Sequence, residues 1–154
     1  FQHLFKVKAT WFSSKKQTIS SSKVYTKSHT IAIEGKPILN VSAAKAFKGD
    51  PKLYNPEDLL LSSISSCHMM SYIYVCEKEG IEIISYSDEA EATLEVAGDG
   101  SGRFMEARLH PKVIIRNPDM VAAALRLHKK ANELCFIANS CNFPILHFPS
   151  CEIA

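Results

Sequence analysis

The stretch NPEDLLLSSISSCHMM, residues 55–70, constrains the fold more than any other part of the sequence. Asn55 is a favourable N-cap, Pro56 suits the first helical position, and two acidic residues follow at the positive end of the helix dipole. The pattern predicts a helix that begins at Pro56 and ends at Gly80. Because this helix is apolar almost all round, it must be buried, and we infer that a second copy of the chain covers part of it.

Alternating apolar residues predict strands on both sides of this helix. Three strands precede it and two longer ones follow, over residues 3–11, 23–33, 38–42, 82–97 and 103–116. The two longer strands are joined by a hairpin-like loop, AGDGSGR, and the Ser- and Lys-rich residues 12–23 are predicted to be an exposed connection.

A second helix repeats the opening of the first, with Asn117 and Pro118 before an acidic residue, and is predicted to run to residue 140. The last apolar stretch, residues 143–153, predicts an edge strand that is interrupted by Pro149. This order of elements is typical of an α+β fold with antiparallel sheets packed around two long central helices. The length of 154 residues predicts a single domain over residues 1–154.

Composition argues against several classes of partner and location. The net charge is only +2 and the basic residues are scattered, so no nucleic-acid partner is expected. The longest apolar run, residues 59–75, is predicted to be too short and too polar to span a membrane. The N-terminal residues alternate and do not form a signal-peptide pattern. Five cysteines without a CxxC pair fit a reducing compartment, so a cytoplasmic location is expected.

A free cysteine is usually an inert small hydrophobe, and only its surroundings indicate a function. Cys67 lies on a helix face that is half apolar and half hydroxyl, as a pocket wall is; that face holds Leu60, Ser63, Ile64, Met70, Ser71 and Tyr74. Cys76 is predicted to lie on the opposite face of the same helix. Cys135 lies near the end of the second helix and shares its face with His128 and Asn132.

Neither a metal site nor a catalytic base follows from the residues around Cys67. No set of cysteines and histidines has the four-ligand spacing of a zinc site. His68 is adjacent to Cys67, but successive helix positions point about 100° apart, so His68 is expected to face elsewhere.

Two segments, NPEDLLLSSISSCH and CFIANS, each carry a cysteine and occur in an order that resembles the OsmC/Ohr family of thiol-dependent hydroperoxide reductases. The first is similar to the family's Asn-Pro-Glu helix start, with the reactive cysteine ten residues after the glutamate. VYTKSHTI and SAAKAFKGD are similar to the strand and loop before that helix. The resemblance covers most of residues 23–142 and implies an intertwined homodimer with two active sites at its interface.

The resemblance also implies a role for individual residues. Cys67 corresponds to the peroxidatic cysteine, Cys135 to the resolving cysteine, and Glu57 to the acidic residue that helps to position the reactive thiol. Lys27 stands where the family usually has the arginine that pairs with this glutamate; a lysine keeps the charge but loses the two-pronged grip on a carboxylate. Asn132 stands where the family often has a histidine.

The implied activity is the reduction of organic hydroperoxides, and less well of hydrogen peroxide, in oxidative stress defence. A Cys67 thiolate attacks the O–O bond, and the resulting sulfenic acid condenses with Cys135 if the two Cα atoms approach within about 7 Å. An external dithiol, for which a lipoyl-type reductant is a candidate, reopens the disulfide, so no bound cofactor or metal is expected. The predicted pocket for an apolar substrate tail is formed by Leu60, Ile64, Met70 and Tyr74.

Three questions stay open at this point. The first is whether the fold is catalytic; the alternatives are a non-catalytic dimer that binds a small lipophilic ligand or senses redox state, and a plain structural dimer with buried cysteines. The second is whether Cys135 forms its disulfide with Cys67 or with Cys141. Finally, a helix that starts at Pro56 separates Glu57 from Cys67 by about 15 Å along its axis. Either the helix begins later, or Glu57 meets the Cys67 of the other subunit, and we favour the second arrangement.

Overall fold

The structure, a computed structural model, describes residues 1–13 and 25–154. Most of the predicted connection over residues 12–23, and the start of the predicted strand over 23–33, lie outside the described residues. The chain forms two compact units, Phe1–Leu59 and Leu60–Ala154, and the boundary falls in the first turn of a helix. The expectation of a single domain stays a prediction.

The first unit contains a small antiparallel sheet. Its strands are β1 (Lys8–Thr10), β2 (His29–Ala32) and β3 (Leu39–Val41), in that order across the sheet. Each is shorter than predicted because alternation also continues through the flanking loops. Beside the sheet, the indole nitrogen of Trp11 donates a hydrogen bond of 2.9 Å to the carbonyl oxygen of Thr26.

A tight turn follows β3 and depends on one glycine. Lys45–Phe47 forms a short 3₁₀ turn, and the Gly49 amide donates to the carbonyl oxygen of Ala44 over 3.1 Å. A Cβ atom on Gly49 would lie 1.7 Å from the carbonyl oxygen of Ala43. No heavy atoms approach so closely, so glycine is required there for its lack of a side chain.

We predict that Gly49→Ala lowers the free energy of unfolding by about 1–3 kcal/mol, because the added methyl group forces the backbone apart. Gly98→Ala is the matched control, because a Cβ on Gly98 meets no atom within 4 Å. Urea unfolding of both variants measures the difference, and equal effects of the two substitutions would contradict the prediction.

The long helix, α1 (Pro56–Lys78), begins and ends where the sequence predicts. The side-chain oxygen of Asn55 accepts a hydrogen bond of 2.8 Å from the Asp58 amide, so Asn55 is the N-cap. At the other end Gly80 has φ +73, and the Ile81 amide reaches back to the carbonyl oxygen of Cys76 over 2.9 Å. This closure is the Schellman motif that glycine favours.

By length and composition alone, α1 is apolar and long enough to cross a membrane. The prediction that this apolar run is too short is therefore wrong, since the helix extends over 23 residues. The core helix of a soluble protein passes the same test. The absence of a membrane partner stays a prediction.

Each of the two long strands predicted after α1 is divided by a corner into two shorter strands, which belong to different sheets. The shorter strands are β4 (Ile83–Asp88), β5 (Glu91–Val96), β6 (Gly102–Leu109) and β7 (Pro111–Ile115). β5 pairs with β6 in one sheet and β4 with β7 in another, both antiparallel. The Asp88 carboxylate fixes the corner by accepting hydrogen bonds from the His110 amide at 2.7 Å and the Ser65 hydroxyl at 2.5 Å.

The second helix, α2 (Val121–Leu134), is followed by two short strands, β8 (Ile145–His147) and β9 (Ser150–Ile153). α2 ends earlier than predicted, and a separate 3₁₀ turn covers Ala138–Ser140. β8 and β9 lie at sheet edges and run parallel to β6 and β7, whereas the other strand pairs are antiparallel as predicted. The crossover through α2 permits the parallel direction, since parallel neighbours need a long connection.

The core of the second unit lies between the helices and the β4–β7–β9 sheet. It contains buried residues of α1, α2 and β7, among them Tyr72, Val113 and Ala124. The Tyr72 hydroxyl donates a hydrogen bond of 2.7 Å to the carbonyl oxygen of Ala124 and so ties α1 to α2. The α+β fold class is confirmed.

Candidate active site

Two of the five thiols are neighbours. Cys67 lies in the middle of α1 and is half-buried, whereas Cys135 caps the C-terminus of α2 and is fully buried. Burial, together with the adjacent Cys67 thiol, raises the pKa of Cys135 to about 11. The Ala138 amide donates a hydrogen bond of 3.4 Å to the Cys135 sulfur. The structure therefore brings together, within one chain, the two cysteines that the family resemblance paired.

A cleft of about 500 Å³ opens beside Cys67. It is lined by Cys67, Met70, Ser71, Tyr74, Leu134 and Phe136. Met70 and Tyr74 are two of the four residues predicted to form the substrate pocket. Met70 is 58% exposed and Phe136 is 82% exposed, so the apolar wall of the cleft is open in the single chain.

The other two predicted pocket residues, Leu60 and Ile64, do not line this cleft. Ile64 is only 1% exposed and belongs to a second core cluster with Ala107 and Leu109 of β6, against which Leu60 also packs. The surroundings explain the difference, because Met70 and Tyr74 lie at the same spacings of three and seven residues from Cys67 on its C-terminal side. The N-terminal part of this helix face packs against β6, whereas the C-terminal part borders the cleft.

Glu57 and Lys27, the predicted aids to the thiol, are not brought together. Because α1 begins at Pro56, Glu57 does not fold back, and about 15 Å of helix separates it from Cys67 of its own chain. Lys27 is exposed and its carbonyl oxygen accepts from the ring of His29 over 2.8 Å. None of the ion pairs found between described residues involves either side chain.

The Glu57 carboxylate is nevertheless unusual. Its Oε2 atom is buried and has no hydrogen-bond partner among residues 1–13 and 25–154. A buried carboxylate oxygen without a partner is costly, so such groups are normally paired.

Cys141 does not compete for Cys135 in this structure. Its thiol donates a hydrogen bond of 3.3 Å to the carbonyl oxygen of Ile137. Cys76 is buried near the end of α1, and Cys151 lies in β9. All five cysteines are free.

Sequence reasoning missed a cluster of histidines beneath the thiols. The Nε2 atom of His68 lies 3.0 Å from Nδ1 of His128, and the ring of His147 packs 4.5 Å from that of His68. His68 is 1% exposed and His128 is 3% exposed. Tyr72 stacks on His128 with ring centroids 3.9 Å apart. The ring of His68 is thus buried against α2.

Each histidine of the cluster has a buried nitrogen without a partner in the described part of the chain. These atoms are His68 Nδ1, His128 Nε2 and His147 Nε2. The cluster does not have the geometry of a metal site. One signal could have revealed it: His68 and His147 both interrupt otherwise apolar runs, SSCHMM and ILHF.

Burial keeps these imidazoles neutral. Burial, with His147 and His128 adjacent, lowers the pKa of His68 to about 3. Burial and His147 lower the pKa of His128 to about 4. Burial also lowers the pKa of His147, against the opposing effect of Asp88.

We predict that the free energy of unfolding falls as the pH drops from about 6.5 toward about 4. In that window the unfolded chain, with histidine pKa values near 6.5, binds protons that the folded chain excludes. The contribution of His68 and His128 to the free energy of unfolding is fully present above pH 6.5. Below that pH it decreases with a slope approaching about 2.7 kcal/mol per pH unit for the two histidines together. Urea unfolding across this range measures it.

The double variant His68→Gln/His128→Asn should remove most of this slope, because neither amide titrates. His3→Asn, which changes an exposed histidine, should leave the slope unchanged. An unaltered slope in the double variant would show that other groups cause the acid sensitivity.

Comparison with known proteins gives the family. The family model described as OsmC-like protein matches residues 49–146, more than half of the chain. The chain belongs to this family. It is also 26% identical over 143 residues to the uncharacterised protein YmaD of Bacillus subtilis (strain 168), covering 90% of this chain and 86% of that protein.

Solved structures with less than 25% identity show the same fold. An OsmC-like protein of unknown function from Vibrio cholerae superposes with a TM-score of 0.85 at 22% identity, covering 97% of this chain and all of the other. The organic hydroperoxide resistance protein OhrB of Bacillus subtilis superposes with a TM-score of 0.62 at 19% identity, covering 96% of this chain and all of OhrB. A Legionella pneumophila organic hydroperoxide resistance protein gives a TM-score of 0.70 at 17% identity, covering 98% and 99%.

Proposed function

We propose that this protein is a cysteine-based peroxidase that reduces organic hydroperoxides, and less well hydrogen peroxide, in oxidative stress defence. The observation that carries the proposal is the contact between the Cys67 and Cys135 thiols at the wall of an apolar cleft. One thiol is open to a substrate and the other is buried behind it, which is the division of labour that a two-cysteine mechanism needs. Family membership and the hydroperoxide resistance proteins among the structural relatives support it.

The proposed reaction takes two steps on the protein. The Cys67 thiolate attacks the distal hydroperoxide oxygen, the O–O bond breaks, and the alkoxide takes up a proton to leave as an alcohol. The sulfenic acid on Cys67 then condenses with the Cys135 thiol to give a disulfide and water. An external dithiol of the lipoyl type restores both thiols by exchange and becomes the cyclic disulfide. No bound cofactor takes part.

The positions of the two thiols suit these roles. Cys135 is protonated at neutral pH because its pKa is raised to about 11, so it does not compete with Cys67 for the peroxide. During the condensation, the Ala138 amide supports the charge that develops on the Cys135 sulfur. Met70, Tyr74 and Phe136 offer an apolar surface to the organic part of the substrate.

The proposal includes a homodimer in the cytoplasm. Met70, Ile73 and Tyr74 form an exposed apolar stripe on α1, and such a stripe is typical of a surface that a partner covers. A second copy would also supply a partner for the buried Oε2 atom of Glu57. We propose that Glu57 meets the Cys67 of the other subunit and aims Lys27 at it, so that the positive charge of Lys27 favours the Cys67 thiolate.

Consumption of cumene hydroperoxide with dihydrolipoamide tests the activity. We expect Cys67→Ser to abolish turnover because the attacking sulfur is lost. Cys135→Ser should allow one oxidation of Cys67 and then stop, because the sulfenic acid has no thiol to condense with. Cys151→Ser is the control and should turn over normally.

If the intact protein is no faster than Cys67→Ser with several dithiols, the peroxidase proposal is wrong. The cleft would then be examined as a binding site for a small lipophilic ligand. Peroxide treatment that links Cys135 to Cys141 and never to Cys67 would equally contradict the mechanism.

A mixed dimer tests whether the site is shared. Cys67→Ser and Glu57→Gln are each expected to lower turnover at least about tenfold in pure dimers. In a dimer with one subunit of each kind, isolated by two different tags, a shared site leaves one intact pair and restores about half the normal turnover. A site within one chain leaves no intact pair, so an inactive mixed dimer would contradict the sharing.

A further inference from the structure

α1 and α2 are tied by three contacts that follow one another along both helices. The Tyr72 hydroxyl bonds to the Ala124 carbonyl over 2.7 Å, and His68 meets His128 at 3.0 Å. Cys67 meets Cys135 one residue before His68 and seven residues after His128. Residue numbers fall on α1 as they rise on α2, so the helices are antiparallel. On α1, the histidine of the one contact, His68, directly follows the cysteine of the other, Cys67.

The histidine pair costs the fold stability that an apolar pair would not. His68 Nδ1 and His128 Nε2 are buried without partners among the described residues. Each such atom costs about 1–3 kcal/mol, and leucines of similar size would fill the space without it. A buried polar pair that is retained at such a cost is best attested as a device that fixes register between helices.

The axial offset between α1 and α2, their register, decides whether the adjacent thiols can form a disulfide. One residue of helix corresponds to a rise of about 1.5 Å. A disulfide requires its Cα atoms to lie within a window of only about 2.4 Å, from 4.4 to 6.8 Å. A slip of one residue between α1 and α2 therefore uses more than half of this window, and a slip of two residues, about 3 Å, moves Cys67 out of reach of Cys135. Apolar packing alone resists such slips poorly, whereas a hydrogen bond has a defined length and direction.

We propose that His68 and His128 are positioning residues for the disulfide step: their hydrogen bond holds α1 and α2 in the register that brings Cys67 and Cys135 into bonding distance. Neither histidine touches the substrate. The assignment rests on the proposed dithiol chemistry of the two cysteines and deepens it. Loss of the bond slows closure of the disulfide and leaves the first attack by Cys67 unimpaired.

The test measures disulfide closure without a hydroperoxide. In a buffer of oxidised and reduced glutathione, Cys67 first exchanges with the oxidised form to give a mixed disulfide and one glutathione thiol. Cys135 then attacks the Cys67 sulfur and releases the second glutathione thiol. The ratio of closed disulfide to mixed disulfide, multiplied by the concentration of reduced glutathione, gives the effective concentration of Cys135 toward Cys67. Mass spectrometry of the acid-quenched protein reads both species.

Two variants of His68 differ only in reach. The amide of His68→Gln occupies the place of Nε2 and keeps a neutral hydrogen bond to His128, whereas the amide of His68→Asn is one bond too short. We expect the effective concentration to stay within about twofold for Gln and to fall at least about tenfold for Asn. The rate at which Cys67 forms the mixed disulfide should be the same in both.

Circular dichroism and thermal unfolding establish that each variant is folded at the temperature of the assay. If Asn closes the disulfide as well as the unaltered protein, or if Gln and Asn lose closure equally, the positioning role is wrong. If His68→Asn does not fold, His128→Asn/His68→Gln against His128→Ala/His68→Gln repeats the comparison from the α2 side. A protein that closes the disulfide in this histidine-dependent way but consumes no cumene hydroperoxide would refute the peroxidase and leave the positioning role standing.

Discussion

The contact between α1 and α2 is the interaction on which the rest of the second unit depends. α1 has apolar residues on nearly every side. One of these sides is buried around Tyr72 and Ala124, against α2 and the β4–β7–β9 sheet. The same contact places Cys67 against Cys135 and His68 against His128. A substitution in this contact between α1 and α2 is therefore expected to affect both the packing of the helices and the position of the two thiols. The side of α1 left exposed is the one that the proposed second subunit would cover.

The contact between α1 and α2 also explains how two identical side chains acquire different chemistry. Cys67 lies in the middle of a helix and faces a cleft, whereas Cys135 is fully buried where α2 ends. Burial favours the neutral thiol at Cys135, and the backbone amide of Ala138 donates a hydrogen bond to its sulfur. In the proposed mechanism, this difference in exposure sets the order in which the two thiols react, without a metal or a bound cofactor.

Local chemistry could be predicted from the sequence, and long-range geometry could not. Asn55 and Gly80 act on the residues beside them, so both ends of α1 were placed correctly. The corner that divides the long strands depends on Asp88, which bonds to His110 22 residues away and to Ser65 23 residues away, and no periodicity records such contacts. The parallel direction of β8 and β9 likewise follows from where the chain returns after α2.

The site shows the same division. All four predicted pocket residues lie within two turns of Cys67 on one helix. Only Met70 and Tyr74 line the cleft, because Ile64 packs against a sheet whose strands are distant in the sequence. The histidine cluster was missed because α1 is apolar all round and offers no periodicity to separate a buried His68 from an exposed one. The family resemblance supplied the pairing of Cys67 with Cys135, which spacing alone does not give.

The location of Cys135 at the very end of α2 has a mechanical consequence. A helix end normally frays, because its last carbonyl groups have no partners within the helix. Here the capping residue is bonded through its sulfur to the Ala138 amide, at the start of the segment that leads to β8. A covalent link from that cap to the middle of α1 would clamp the fraying end, and its reduction would release it. The oxidation state of the two sulfur atoms would thus control how mobile the end of α2 and the neighbouring Phe136 side chain are.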